Sequence, residues 1–288
     1  MRNCNGARAR RKGPAAEAWA AALAAVLVWP SLLVGAQEGL SEVPSNLPFT
    51  LNGPEAVTAV ELDAFGLVME ATSPSSTIAH AEAFVSQFPD SQLLSLTRLR
   101  ELQAEIDANS YEGALAAGHD LLRASPRNLE ALILMAVVLP NFPPSYSAVR
   151  KTNSIKEARD DIQAANELLQ TFHPMEGFSP GEFLKYKHKL RVSLKEAAAT
   201  VDLASGENER AIQEYQEVLS ENSPPSAIIY FRLGVAYYRA GQTEKARKQL
   251  ERAMQVDNGI VRKRAADLLN QIASNPKGLQ NSPADVKR

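Results

Sequence analysis

Cysteine is almost absent from this chain of 288 residues: the single one is Cys4. It lies in the N-terminal segment read below as a leader. The rest of the chain therefore has no disulfide, no thiolate nucleophile and no cysteine-based metal site. Histidine is scarce too, with His80, His119, His173 and His188 scattered so that no two lie three or four residues apart. That spacing excludes the paired histidines of a helical zinc site, and each reads as a surface or packing residue. Phosphate-cradling glycine loops and the dinucleotide glycine fingerprint are missing, so no cofactor or metal is expected. Stretches of strict apolar–polar alternation are missing as well, which leaves no half-buried strand. Nor is there an excess of positive charge, with 31 Lys and Arg against 33 Asp and Glu. A nucleic-acid partner, which needs a basic surface, is excluded on that ground.

What is present begins with an export signal. Arg2, Arg8, Arg10, Arg11 and Lys12 form a basic start, an apolar run follows from Ala18 to Leu33, and Val34-Gly35-Ala36 offers small residues for cleavage before Gln37. Residues 1–36 therefore read as a signal peptide. An uncleaved anchor is the alternative, although the run is shorter than the roughly 20 residues of a spanning helix and Pro30 breaks it. The leader holds five of the basic residues and one acid, leaving 26 against 32 and a net charge of about −6. Residues 37–54, with Pro44, Pro48, Gly53 and Pro54, read as a linker. Residues 274–288 are polar, contain Pro276 and Pro283, and read as a disordered tail.

Between these lies a region, 55–273, whose apolar residues recur three and four apart. Pro89, Pro126, Pro174 and Pro224 punctuate it at intervals of 37, 48 and 50 residues, a spacing that suggests repeated helix pairs. The clearest unit is AIIYFRLGVAYYRAGQTEKARKQLERAMQVD, from Ala227 to Asp257. Tyr230, Leu233, Gly234 and Tyr237 share one face of a first helix. Gly241 is placed to end it in a left-handed turn. Ala246, Leu250 and Ala253 share a face of the second helix, and the small residues let the two helices approach closely.

This unit resembles the tetratricopeptide repeat. That family's pattern is an aromatic, Leu-Gly, Tyr, then Ala, Leu or an aromatic, Ala and Pro. Seven of these places match, and Asn258 stands where the family usually carries Pro. Other units are weaker but in phase. Ala114 and Pro126 lie twelve apart, as in the family, although Gly118 occupies a place where a large residue is usual. Leu132, Met135, Ala136 and Leu139 start another unit, whose second helix, with Ala158, Ile162 and Ala165, follows late. Leu194 to Leu203, Gly206, Ala211, Tyr215 and Val218 make a further one. Val57–Met69 with Ser76–Phe88 is a degenerate opening pair, and Leu93 to Ile106 supplies the first helix of the Ala114 unit. The resemblance implies an all-α, right-handed superhelical solenoid of about five antiparallel helix pairs, closed by a capping helix over Val261–Ile272.

The resemblance also implies a function. In this family the first helices line a concave groove that holds a peptide or helix of another protein. Carried over, the groove positions are Leu99 and Gln103, Ile133 and Val137, Glu196 and Thr200, and Phe231, Val235 and Tyr238. Chaperone-binding members place Lys and Asn at such positions to clamp a terminal carboxylate. This chain does not, so a mostly apolar groove suited to an amphipathic helix or hydrophobic segment is expected. For each groove residue, simple packing between repeats is the competing reading. Between Leu139 and Ile155 the sequence PNFPPSYSAVRKTNS replaces a short turn. With Phe142 and Tyr146 it is read either as part of a partner site or as a tolerated surface insertion. Basic residues cluster near Arg262-Lys263-Arg264, either as an ordinary charged cap or as a dock for an acidic partner or anionic membrane.

Catalytic readings are weak. Gly177-Phe178-Ser179-Pro180-Gly181 matches the hydrolase pattern G-x-S-x-G, but the residue after the nucleophile must donate an N–H and here it is proline. Ser179 reads instead as the cap of a helix beginning near Pro180, with Glu182 in its first turn. The sequence thus points to a non-catalytic scaffold or assembly factor outside the cytoplasm, periplasmic or secreted, whose partner is another protein. A membrane would be reached only through that partner or an uncleaved leader. The alternatives are an accessory subunit of an exported enzyme or secretion complex, and an enzyme with a pocket that the repeats do not suggest.

Overall fold

Left-handed turns set the rhythm of the fold. In the computed structural model, which describes residues 57–173, 179–221, 226–256 and 259–274, Asn109, Gly206 and Gly241 all have positive φ. Each sits just past a helix end, and the amide of the next residue reaches back five residues: Ser110 N to Glu105 O at 2.9 Å, Glu207 N to Asp202 O at 2.9 Å, and Gln242 N to Tyr237 O at 2.8 Å. This bond occupies a carbonyl that the helix leaves orphaned and turns the chain sharply back on itself. Gly241 behaves as its sequence context predicts. Asn109 does the same work without being glycine, using the tolerance of Asn for this conformation.

Those turns join antiparallel pairs. The described residues hold eleven α-helices and no strand. The opening pair is α1 (Ala59–Glu70) and α2 (Pro74–Gln87), followed by α3 (Leu94–Asp107) with α4 (Tyr111–Ala124). Then come α5 (Leu129–Val138) with α6 (Ala148–Gln170), and α7 (Pro180–Ser205) with α8 (Asn208–Glu221). The last pair is α9 (Ala227–Arg239) with α10 (Thr243–Val256), and α11 (Ile260–Ser274) packs on it as a cap. The molecule is a helical repeat solenoid in which each pair packs on its neighbours. Residues 1–36, read above as a signal peptide, residues 37–54, read as a linker, and residues 275–288 of the segment read as a tail lie outside the described residues. No helix among the described residues is long and apolar enough to cross a membrane.

Helix starts follow from their caps. Thr58 and Glu61 form a reciprocal capping box on α1, as do Ser179 and Glu182 on α7; Ser73, Asn128 and Ser147 each accept a bond from the first turn of the helix that follows. The core is a string of local clusters. Phe65, Val68 and Phe84 pack in the opening pair, Leu102, Ala114 and Met135 in the middle, and Ile229, Leu233, Tyr237 and Leu250 at the C-terminal end.

The middle of the array departs from the rhythm. Helices α2, α3, α4, α8 and α10 are each 14 residues, whereas α6 has 23, α7 has 26 and α5 only 10. The two long helices sheathe the short one, and all of α5 except Val137 is buried. The insertion expected from 140 to 154 is shorter than that. A 3₁₀ turn over Leu139–Asn141 leads into six further residues, and Ser147 then starts α6 by accepting a bond from Arg150 N at 3.2 Å. Residues 148–154 are a helical extension of α6.

Candidate binding cleft

The inner ends of the pairs leave a cleft of about 560 Å³. One wall is the α3–α4 turn, with Ile106, Asn109, Ser110 and Tyr111, together with Ala114. Val137 and Val138 of α5 and Pro140 and Asn141 of the 3₁₀ turn continue it. Opposite stand Thr200, Leu203 and Ala204 of α7, and Ile228, Phe231, Arg232, Val235 and Arg239 of α9, with Arg264 reaching in from α11.

Behind the α7–α9 wall runs a buried polar network. Thr200 Oγ1 donates to the carbonyl of Glu196 at 2.8 Å, which uses its only proton. Tyr215 must then donate to Thr200 Oγ1, 3.0 Å away. Burial and this contact hold Thr200 in one orientation; burial also pushes the Tyr215 phenol up to about 12. Arg232 Nη1 closes the network at 3.1 Å from Glu196 Oε1 and 3.3 Å from Thr200 Oγ1. Burial pushes the Glu196 carboxyl above its ordinary range, and the Arg232 charge opposes that. Thus Glu196 already balances Arg232.

The other two arginines are not balanced in this way. Arg239 Nη1 donates to the carbonyl of Leu203 at 2.9 Å, tying α9 to the end of α7. A carbonyl satisfies a donor but leaves the charge, and desolvation lowers the Arg239 pKa. Arg264 is exposed and has no hydrogen-bond or ion-pair partner among the described residues. No Asp or Glu lines the cleft. Apolar residues predominate in the lining, with a charged edge the expectation did not include: half-buried Val137, Ile228, Phe231 and Val235 form an apolar strip rimmed by arginines.

Of the residues carried over from the family pattern, Val137, Thr200, Phe231 and Val235 line this cleft. The others lie elsewhere. Ile133 and Tyr238 are each about 1% exposed and belong to the core. Ile133 is covered because α6 and α7 enclose α5. The cleft-facing stripe of α9 runs through 228, 231, 232, 235 and 239, so Tyr238 falls one position round the helix and turns inward. Gln103 is buried and donates to Asp107 Oδ1 at 3.3 Å, and half-buried Leu99 packs on the α3–α5 core.

Within the insertion, Tyr146 is an anchor and not an exposed contact. Its ring meets Tyr111 edge-on at 5.6 Å, Arg150 stacks 3.6 Å from its centroid, and its hydroxyl donates to Glu112 Oε1. Phe142 is half-buried, with the Lys151 ammonium 5.4 Å from its ring centroid. The start of the insertion, Pro140 and Asn141, borders the cleft, a position the aromatic residues had drawn attention away from. Arg239 was not among the expected groove residues, although it lies four residues beyond Val235 on the same stripe. Arg264 belongs to the basic cluster read from the sequence as a charged cap or a dock for an acidic partner or anionic membrane, and the structure brings it to the edge of this cleft.

The remaining sequence candidates are accounted for locally. Ser179 Oγ accepts from Glu182 N at 3.3 Å, and Glu182 Oε2 accepts from Ser179 N at 2.9 Å, so this serine caps α7. Gly177 and Phe178 lie outside the described residues. His119 Nε2 is 2.6 Å from Glu157 Oε1, and His188 Nδ1 is 2.8 Å from Arg191 Nη2, both on exposed helix faces. Among the described residues no group of three His, Asp, Glu or Cys is arranged to hold a metal ion.

Residues 197–258, from the end of α7 to just past α10, match the tetratricopeptide repeat family. That segment carries tetratricopeptide repeats, and the last pair read from the sequence lies within it. Two solved structures are similar. One is a thermophilic tetratricopeptide repeat protein from Thermus thermophilus, at 15% identity and a TM-score of 0.48, over 73% of this chain and 95% of that one. The other is a tetratricopeptide repeat protein from Parabacteroides merdae, at 11% identity and a TM-score of 0.36, over 77% and 93%. No curated protein matches the chain.

Proposed function

We propose that this chain is a non-catalytic scaffold that holds a segment of another protein in the cleft, and that it does so outside the cytoplasm, in the periplasm or secreted. The observation that carries the reading is the cleft itself. Its walls come from helices of several pairs, its volume of about 560 Å³ suits several side chains of a peptide, and its floor leaves Val137, Phe231 and Val235 half-buried. Repeat proteins characteristically bind along such surfaces, and the tetratricopeptide segment supplies most of the α7–α9 wall. The leader over residues 1–36 supports the extracytoplasmic part of the reading.

The test is in-cell crosslinking of the tagged full-length chain, with mass spectrometry, beside a Phe231→Ala/Val235→Ala variant. These two side chains are chosen because they line the cleft without filling the core. The expected result is one dominant envelope partner that disappears in the variant. Identical partners in both proteins would remove the cleft from the reading. Crosslinks confined to cytoplasmic proteins would overturn the export.

A further inference from the structure

The charge pattern of the cleft says more about what it holds. Three guanidinium groups face it and no carboxylate does. Glu196 neutralises Arg232, which leaves Arg239 and Arg264 as uncompensated charge lining the same cleft as an apolar strip. The chain as a whole has a formal net charge of −2, so this excess of cations is local. Arginine presents a planar fork of donors that matches a carboxylate, and Arg239 spends one donor nitrogen on the Leu203 carbonyl and keeps others. Phe231 and Val235, which line the same cleft, ask for apolar side chains on the same ligand.

Resting on the reading that the cleft holds a protein segment, we propose that this segment is acidic, with carboxylates reaching Arg239 and Arg264 and apolar side chains set on Phe231 and Val235. A lipid surface fits less well, because the cations stand inside a concavity that a flat headgroup layer does not enter.

A random peptide library panned on the full chain tests this, followed by affinity measurements on synthesised binders. The main variant is Arg264→Glu, chosen because Arg264 is exposed and makes no contact that the fold depends on. Arg264→Gln separates loss of charge from its reversal. The expected result is enrichment of acidic, apolar-containing sequences whose affinity falls about tenfold in Arg264→Gln, further in Arg264→Glu, and with rising salt. Neutral or basic binders that Phe231→Ala abolishes and Arg264→Glu leaves intact would overturn the acidic assignment and keep the cleft. Binders indifferent to both positions, or no enrichment, would overturn both. Phosphatidylserine vesicles bound by the chain and released by Arg264→Glu would overturn the proposal in favour of a membrane.

Discussion

The α9/α10 pair and the region around α5 solve one packing problem with opposite assignments of size. In α9/α10 the small residue is Gly234 on the first helix. A Cβ there would stand 2.8 Å from Leu250 Cγ, so the second helix of the same pair rests its leucine on bare backbone. Around α5 the small residue is Gly118, on the preceding helix α4. A Cβ there would collide with Met135 Sδ. The large side chain thus comes from the next pair and points backward, so this glycine contact lies between pairs instead of within one. Helix α5 is also short and enclosed, and α6 and α7 lengthen to cover it. The lesson is that a repeat keeps its outline while the glycine that receives a large side chain moves from inside a pair to the junction between pairs.

The largest test of this contrast removes the two large side chains. Leu250→Ala and Met135→Ala should each cost about 2–5 kcal/mol by urea unfolding, since both are fully buried. Next come the glycines. Gly234→Ala and Gly118→Ala should each cost about 1–3 kcal/mol by overpacking. Each penalty should shrink by at least about 1 kcal/mol when its partner, Leu250 or Met135, is alanine. Additive costs in either cycle would mean that size allocation does not explain that contact.

Acidity should separate the same two regions. Glu130 on α5 is buried and accepts a bond from the Tyr186 hydroxyl of α7. Burial pushes its carboxyl up to about 7, against the opposing influence of Tyr186 and Lys189. A folded-state value above the unfolded one favours the fold at low pH. This contribution is complete below about 4.5 and disappears as pH rises through about 7, with an upper magnitude of about 3 kcal/mol. Asp161 on α6 and Glu214 on α8 are pushed the same way, chiefly by burial. Stability should therefore rise between pH 8 and pH 5, and Glu130→Gln should flatten part of that rise. The buried residues of α9 and α10 include no acid. Hydrogen exchange corrected for intrinsic rates should accordingly show α5–α7 gaining protection at low pH more than α9/α10. Equal gains would dissolve the distinction. The smallest effect concerns the insertion: Tyr146→Phe should cost about 1 kcal/mol through its bond to Glu112, with exchange rising in 139–150.

The same contrast explains what was legible in the sequence. Tyr230, Leu233, Gly234, Tyr237, Gly241, Ala246 and Leu250 spelled out the last pair because their spacing and their contacts coincide within one unit. Around α5 the decisive pair, Gly118 and Met135, spans two units, so Gly118 read only as a departure from pattern. Asn109 hid a turn equivalent to those at Gly206 and Gly241. About half the named groove residues reach the cleft. The misses arise where helix phase is off by one residue, as at Tyr238, or where a neighbouring helix covers the position, as at Ile133. The cationic rim assembles from α9 and α11, which no local spacing records.

The cleft also has a mechanical consequence. The α3–α4 turn and helix α9 face each other across it without substantial direct packing. A solenoid whose units touch only their neighbours behaves as a spring, whose curvature is set by small rotations summed along its length. A ligand gripping both sides would act as a strut across several coils, fixing the curvature between them. The outer surface far from the cleft would then present a different bend when loaded than when empty, and a second protein touching only that surface could register the difference.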